Sequence, residues 1–389
     1  MIPVLYHRSE DCCGCKACAN ACPRDAISFV ADEYGFFYPS INEDKCIGCQ
    51  KCLKTCDFQK EGEFGNHVLE GYAARHKKSD IYSKSTSGGV FTALAEWVIL
   101  RGGIVYGCVF DESYSPIHIG VDTLEGISSM RGSKYAQSDV GFVYREVKAK
   151  LVEDKYVLFT GTPCQVAGLY SYLGKSNVEK LLTADLICHG VPSAMTFKKY
   201  INYLEKKYRS KVERFQFRSK LISWIKPVVN VSFESGKSKW WFPSKNIYYT
   251  NFDRRNFQRL SCFRCKYSCD SRCGDITIGD FWGFQKANIQ MSCKEGISCC
   301  LLNTPKATEI FRELNLNVEK VNPYYIIQGN YHLRKPSPKG KDWDLVMNAI
   351  KKNGFDSITI WLVFYKKSFK SYIKRNARKI KKYICFLNL

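Results

Sequence analysis

Apolar runs followed by amphipathic stretches divide this chain before any single residue is weighed. KYVLFT runs into GTPCQVAGLYSYL, and LLTADLIC runs into HGVPSAMTFKKYINYLEKKY: twice, an apolar strand, a tight turn and then helical spacing. That succession predicts an α/β domain over about residues 80–340. Inside it, VERFQFRSK and VVNVSFESGKSKWWF, within 212–243, alternate apolar and polar positions and predict antiparallel strands. Residues 1–60 form a separate, cysteine-rich module in which AISFVADEYGFFYPSI reads as strand, turn and strand. Residues 61–79 read as a linker running into a first strand. From 343 the spacing is helical, and 341–389 reads as a basic helical tail.

In that tail Phe369, Ile373, Ala377, Ile380, Ile384 and Leu387 recur at steps of three and four, making one apolar stripe. Nine Lys or Arg and no acid lie between Lys366 and Lys382. Two readings stand side by side: a helix that docks on a membrane surface or partner, and a terminal helix packed on its own protein with a solvated basic face. The most apolar stretch, GGVFTALAEWVILRGGIVYGCVF, is broken by Glu96, Arg101 and a glycine pair, so no transmembrane span is expected.

The cysteines carry the strongest chemistry. Cys12, Cys15, Cys18 and Cys22 follow C-x-x-C-x-x-C-x-x-x-C, and Cys46, Cys49, Cys52 and Cys56 repeat it 34 residues later. Three thiolates two residues apart can wrap one face of a 4Fe–4S cluster, while the fourth is aimed at the other cluster. The spacing therefore assigns Cys12, Cys15, Cys18 and Cys56 to one cluster, and Cys46, Cys49, Cys52 and Cys22 to its twin. Zinc is the competing reading, but zinc sites seldom use three consecutive short spacings, twice. The module is read as a bacterial-type two-cluster ferredoxin fold. Pro23 follows the fourth cysteine of the first run. Asp57 stands at the equivalent place in the second, where its charge should lower the potential of the cluster held by Cys56. Cys13 reads as a bystander thiol.

With 389 residues, 45% hydrophobic and 14% aromatic, the chain can bury a sizeable core. Its 20 cysteines would suggest disulfides in a small secreted protein. MIPVLYHRSEDCC has no basic start followed by an apolar run, so a reducing, cytoplasmic setting and metal ligation are expected. The formal charge of +22 suits acidic partners, phosphorylated ligands or an anionic membrane surface. No recognition helix or aromatic run of the nucleic-acid-binding kind is visible, so no nucleic acid is expected.

A second set of motifs lies in the α/β region. SKSTSGGVFTALAEW is a Ser/Thr/Gly loop opening onto a helix, where Gly88 and Gly89 would let a ligand approach the backbone and Ser87 adds a hydroxyl. Gly161 and Thr162 make the same kind of turn after KYVLFT, at a strand end of the sort where α/β sheets bind nucleotides. RGSKY offers Ser133 with Lys134 as a phosphate partner; a solvated basic turn reads equally well. Cys262, Cys265, Cys269 and Cys273 precede DITIGDFWG, and Cys164 and Cys188 each follow a predicted strand. A third cluster could draw on the local four, or on Cys262 and Cys265 with Cys164 and Cys188. His189 is a weak catalytic candidate; a role in orienting its loop is the plainer reading.

Taken in order, STSGGVFTALAEW, GSKYAQS, GTPCQVAGL, ICHGVPS and CFRC…DITIGDFWG resemble the coenzyme F-420 hydrogenase/dehydrogenase beta-subunit family, with the ferredoxin module fused in front. The resemblance implies an α/β flavin-binding domain with FAD beside a 4Fe–4S cluster. It implies Ser87, Gly88, Gly89, Ser133, Lys134, Gly161 and Thr162 at the FAD site, and Cys164, Cys188, Cys262 and Cys265 as the third cluster's ligands. Cys269 and Cys273 depart from the family pattern and leave that ligand set open. With three clusters and one flavin dinucleotide at about −2 each, the charge falls from +22 to roughly +14.

The expectation is an oxidoreductase relaying single electrons through 4Fe–4S clusters to FAD, for the two-electron reduction of a deazaflavin or other small organic acceptor, or the reverse. A ferredoxin or other redox protein is the expected partner, and the location is cytoplasmic, with peripheral contact at the inner membrane surface if the tail docks there. The alternatives are an electron-transfer or adaptor subunit without its own flavin, and a basic metal-containing nucleic-acid-binding protein.

Overall fold

The computed structural model describes residues 2–62, 64–174 and 178–366. Its N-terminal module contains α1 (Ala17–Ala21), β1 (Ile27–Ala31), β2 (Phe37–Ile41) and α2 (Lys51–Thr55). β1 and β2 pair antiparallel, so the predicted strand–turn–strand insert is a hairpin. A short helix in each half carries the third cysteine of its run, Cys18 in α1 and Cys52 in α2, and the other cysteines lie in the segments around them.

The rest of the chain supplies β3 (Glu70–His76), α3 (Ser79–Lys84), α4 (Val90–Ile99), β4 (Ile104–Phe110), β5 (Pro116–Val121), α5 (Val143–Val152), β6 (Val157–Gly161), α6 (Pro163–Leu173) and β7 (Leu181–Leu186). There follow α7 (Ala194–Tyr208), β8 (Val212–Ser219), β9 (Val228–Phe233), β10 (Ser238–Trp241), α8 (Ile247–Asp253), β11 (Ile276–Asp280) and β12 (Ser298–Leu302). The last are α9 (Pro305–Glu313), β13 (Leu316–Val321), α10 (Pro323–Gly329) and α11 (Trp343–Asn353).

Eight strands form one sheet in the order β13-β3-β12-β11-β7-β6-β4-β5. β4, β6, β7 and β11 run parallel at its centre, and their neighbours on both sides are antiparallel. The parallel strands read as continuous apolar runs because helices cover both faces. α4 and α9 close one face through Val90, Leu94, Val98 and Phe311, and α5 and α6 close the other through Val147, Leu151, Val166 and Leu169.

Two boundaries move. The linker expected over 61–79 is shorter, because β3 lies inside the sheet between β12 and β13. Its EGYAARH sequence has adjacent buried alanines, Ala73 and Ala74, and so lacks the alternation that marks a half-buried strand. The basic tail expected from 341 also starts too early. Trp343, Val346, Met347 and Ile350 of α11, with Ile360 and Val363, are buried with α7, α8 and the β8–β10 sheet in one aromatic-rich core. The basic stripe itself falls on 367–389, outside the described residues. No helix among the described residues is long and apolar enough to cross a membrane.

The N-terminal module is bound to the sheet domain by specific contacts. Arg145 of α5 donates to the carbonyls of Asn20, Ala19 and Cys22 and pairs with Asp25 at 2.7 Å. Arg259, 1% exposed, donates to Cys12 O at 2.8 Å and Phe37 O at 3.0 Å and stacks on Tyr38. Gly35, at the hairpin tip, has φ +78 and packs so closely on Met195 that a Cβ would stand 2.4 Å from it.

Candidate redox centre and cofactor cavity

A cavity of about 630 Å³ opens where the parallel strands end. This size suits a drug- or cofactor-sized ligand, and the carboxyl ends of parallel strands are where such sheets bind them. β4 presents Cys108, β6 presents Thr160 to Thr162, β7 presents Leu186 to Val191, and β11 presents Ile278 to Asp280. The chain reverses at these ends, so backbone groups and short side chains face the opening.

One wall is hydroxyl-rich and basic. Ser87, Gly89, Arg131, Ser133 and Lys134 line it. The two loops are tied together where Ser133 N–H donates to Thr86 Oγ1 at 3.1 Å. Lys134 Nζ donates to the carbonyls of Met130, Arg131 and Gly132, which hold the ammonium at the cavity edge. Burial lowers its pKa, opposed by the nearby Cys108. Gly89, at φ +89, caps α4, and Gly161 and Thr162 line the cavity beside α6.

Gly88 needs correcting. It is absent from the cavity wall, and its N–H is already taken by Ser298 Oγ at 2.8 Å. A Cβ there would stand 2.2 Å from Ala74 O, so the missing side chain lets the loop lie against β3 rather than admitting a ligand. Two other expected donors are also engaged: Ser87 Oγ donates to Ile297 O at 2.7 Å, and Thr162 N–H donates to Gln165 Oε1 at 2.9 Å.

The same cavity also gathers thiols. Cys164, Cys188, Cys262 and Cys265 all line it, from two strand ends and one loop distant in sequence. Burial pushes Cys262 up to about 12 and Cys265 up to about 11, so as bare side chains both keep their protons; a metal centre would draw them off. Cys269 and Cys273 do not line this cavity. Cys269 donates to Lys266 O and Ser271 O, and Cys273 is packed beneath α6. Their loop is organised by buried Arg272, which pairs with Asp185 at 2.8 Å and holds the carbonyls of Tyr267 and Cys269.

The cysteines of the N-terminal module fall into two neighbourhoods. Cys18 lies within electrostatic reach of Cys15, Cys12 and Cys56, and Cys22, Cys46, Cys49 and Cys52 line one small separate cavity. The first group is held against the sheet domain, where Gly168 of α6 lets the helix approach: a Cβ there would be 3.1 Å from Cys15 Sγ. The second group faces outward, and Cys49 is exposed. Among the described residues no three His, Cys, Asp or Glu side chains are arranged as a site for a metal ion. A cubane places its thiolates at separate corners, a wider arrangement.

His189 lies on the cavity wall stacked on His332, ring centres 4.1 Å apart. Burial depresses the two to about 4 and about 3, so both imidazoles are neutral near pH 7. His332 is anchored by Ser337 at 2.5 Å, which favours an orienting role for the pair over proton donation. Sequence reasoning missed Arg131, His118 and Arg218 as cavity residues. His118 Nδ1 and Arg218 Nε and Nη2 are buried without a hydrogen-bond partner. The Tyr135 hydroxyl stands beside Arg218, whose Nη1 pairs with Asp280. Asp280 belongs to the DITIGDFWG motif, which is the signal that could have led to its partner.

Three family models match this chain. A 4Fe–4S dicluster domain model matches residues 11–60. Models of the N-terminal and C-terminal parts of the coenzyme F-420 hydrogenase/dehydrogenase beta subunit match residues 71–143 and 154–323. The chain is therefore an iron–sulfur protein of an oxidoreductase class. It belongs to the coenzyme F-420 hydrogenase/dehydrogenase beta-subunit family, with a 4Fe–4S module in front.

It is 25% identical over 334 residues to the coenzyme F-420-dependent sulfite reductase of Methanocaldococcus jannaschii, covering 80% of this chain and 47% of that protein. The chain thus spans about half the length of that relative. The N-terminal module is 40% identical over 55 residues to the putative oxidoreductase AegA of Escherichia coli, 14% of this chain and 7% of that one. A chain from the F-420-reducing NiFe hydrogenase complex of Methanosarcina barkeri is similar at TM-score 0.45 and 19% identity, over 80% of this chain and 96% of that one.

Proposed function

We propose that this chain is an iron–sulfur flavoprotein that takes single electrons at its N-terminal module and delivers them in pairs to a small organic acceptor at the cavity, or runs in reverse. The observation that carries this reading is that Cys164, Cys188, Cys262 and Cys265 line the same cavity as Ser87, Gly89, Arg131, Ser133 and Lys134. A thiol set fit for a cluster and a cradle fit for a dinucleotide share one space.

The donor chemistry fits both groups. Cys12, Cys15, Cys18 and Cys56 would hold one 4Fe–4S cluster, Cys22, Cys46, Cys49 and Cys52 a second, and the cavity four a third. Ser87, Gly89, Ser133, Lys134, Gly161 and Thr162 would hold FAD, Gly88 acting only as a packing residue. Bound there, the clusters supply one-electron transfer and the flavin supplies the two-electron chemistry.

The chain's own residues orient and insulate. Arg131 and Lys134 place positive charge where a pyrophosphate would lie. Neutral His189 and His332 close the cavity wall without adding a charge. Two one-electron donors would each lose one electron, and the acceptor would gain two electrons and a proton. A deazaflavin or another organic two-electron carrier suits a cavity of this size.

The exposed Cys49 group is the port for a ferredoxin or similar one-electron protein. The deciding experiment is iron, sulfide and flavin content of protein purified without oxygen. About twelve irons with one FAD is expected. About eight irons and no flavin would sink this reading and leave an electron-transfer or adaptor subunit.

A further inference from the structure

Two sheets meet at one ion pair on the cavity. Arg218 belongs to β8 of the three-stranded sheet, Asp280 ends β11 of the main sheet, and both line the cavity. Arg218 Nη1 donates to Asp280 Oδ2, and Asp280 Oδ1 accepts from Trp224 Nε1 at 2.8 Å. The guanidinium lies over the Trp282 ring, 5.4 Å from its centre, and Trp282 is stacked on Trp224. Its end and its face are thereby fixed, and the side chain is only 6% exposed.

One edge is left over. Nε and Nη2 of Arg218 are buried and have no hydrogen-bond partner. Their N–H bonds run parallel, the fork that meets the two oxygens of one planar acid group. The Tyr135 hydroxyl stands beside the guanidinium. A neutral oxygen there can take one of the two donors, not both. A buried cation with idle donors is costly, and a fold keeps one where a ligand completes it.

The surroundings suit a flat, singly charged ligand. Tyr249, Phe252 and Trp282 give the same cavity aromatic walls. The Tyr135 ring is stacked on Phe252 at 4.6 Å and met edge-on by Tyr249 at 5.5 Å, so its hydroxyl is held in place. Asp280 already balances one unit of charge. A doubly charged group would meet that carboxylate across the guanidinium, which favours a carboxylate over a phosphate. We propose that the organic acceptor carries a carboxylate, and that the Nε–Nη2 edge of Arg218 recognises it. This inference rests on the cavity being the acceptor's site, as in the proposed function, and adds the acceptor's chemical class.

The test is calorimetric binding of benzoate to the full chain purified without oxygen, as wild type and Arg218→Lys, with benzamide and phenyl phosphate alongside. Lysine keeps a cation for Asp280 but has no fork. Benzoate should bind wild type and weaken about tenfold in Arg218→Lys. Benzamide should bind more weakly and alike in both proteins, and phenyl phosphate more weakly than benzoate. No benzoate binding, or equal affinity in the two proteins, would overturn the assignment. Tighter binding of phenyl phosphate would overturn the carboxylate class. If Arg218→Lys does not fold, the double variant Arg218→Gln with Asp280→Asn, which buries no unpaired charge, takes its place with the same expected loss. A wild type that carries no flavin would overturn the proposed function; benzoate binding still reads the Arg218 edge separately.

Discussion

The Asp57 carboxylate accepts the hydroxyl of Tyr267 at 2.7 Å. Lys266 Nζ stands 3.4 Å from the same carboxylate oxygen and donates to Asp57 O at 2.5 Å. A residue next to Cys56 is thereby strapped to the loop just after Cys265. Read from sequence, Asp57 should lower the potential of the cluster beside it. In the fold Lys266 offsets much of that charge, so the carboxylate serves chiefly as the latch between the two domains.

Tyr267→Phe tests the latch. Burial holds the hydroxyl's pKa well above its ordinary value, so it keeps its proton and donates. The phenyl ring would preserve packing on Phe58 and Phe64, whose centres lie 6.0 and 5.0 Å away. Loss of one hydrogen bond to a charged acceptor should lower stability by about 2 kcal/mol. Denaturant midpoints of the oxygen-free holoprotein would show it, and an unchanged midpoint would discount the latch.

The parts legible in sequence were those with local causes. Cysteine spacing marked the N-terminal 4Fe–4S module, and the turns after KYVLFT and LLTADLIC marked two edges of the cavity. The parts that were not legible depend on distant partners. β3 lacks alternation because both of its faces are covered, Ala74 packing with α4 and Ala73 with Trp224 and Phe281. Gly88 looks like any loop glycine until Ala74 O is seen against it, and Arg218 ends an ordinary alternating strand until Asp280 meets it.

His118 makes stability depend on pH. It is buried on the cavity side, bonded through Nε2 to Thr160 O at 3.0 Å and stacked on Phe159. Burial pushes it down to about 4 from an ordinary 6.5. Between those values the unfolded chain binds a proton that the folded chain refuses, so stability rises with pH there. Its contribution is fully present above about 6.5 and falls by up to about 1.4 kcal/mol per unit as the pH drops toward 4. His189 and His332 add slopes of the same sign. Comparing unfolding free energies at pH 7 and 5, His118→Phe should show the shallower loss. Equal slopes in variant and wild type would assign the pH dependence elsewhere.

The contrast between the two N-terminal cysteine groups predicts where electrons enter. Cys12 and Cys15 pack against the cores of the rest of the chain, Cys15 in contact with α6, while Cys18 packs inside the N-terminal module. Cys49 is exposed, with Ile47 exposed beside it and Lys45, Lys51 and Lys54 around it; Glu43 and Asp44 lie on the same segment. A protein donor can reach the second group, whereas the first is reached through it. The double variant Cys46→Ser with Cys49→Ser should therefore lose about four irons and keep about eight. Its remaining centres should still be reduced by dithionite, a small reagent, but no longer at the wild-type rate by reduced ferredoxin. Reduction by ferredoxin at an undiminished rate would move the port elsewhere on the chain.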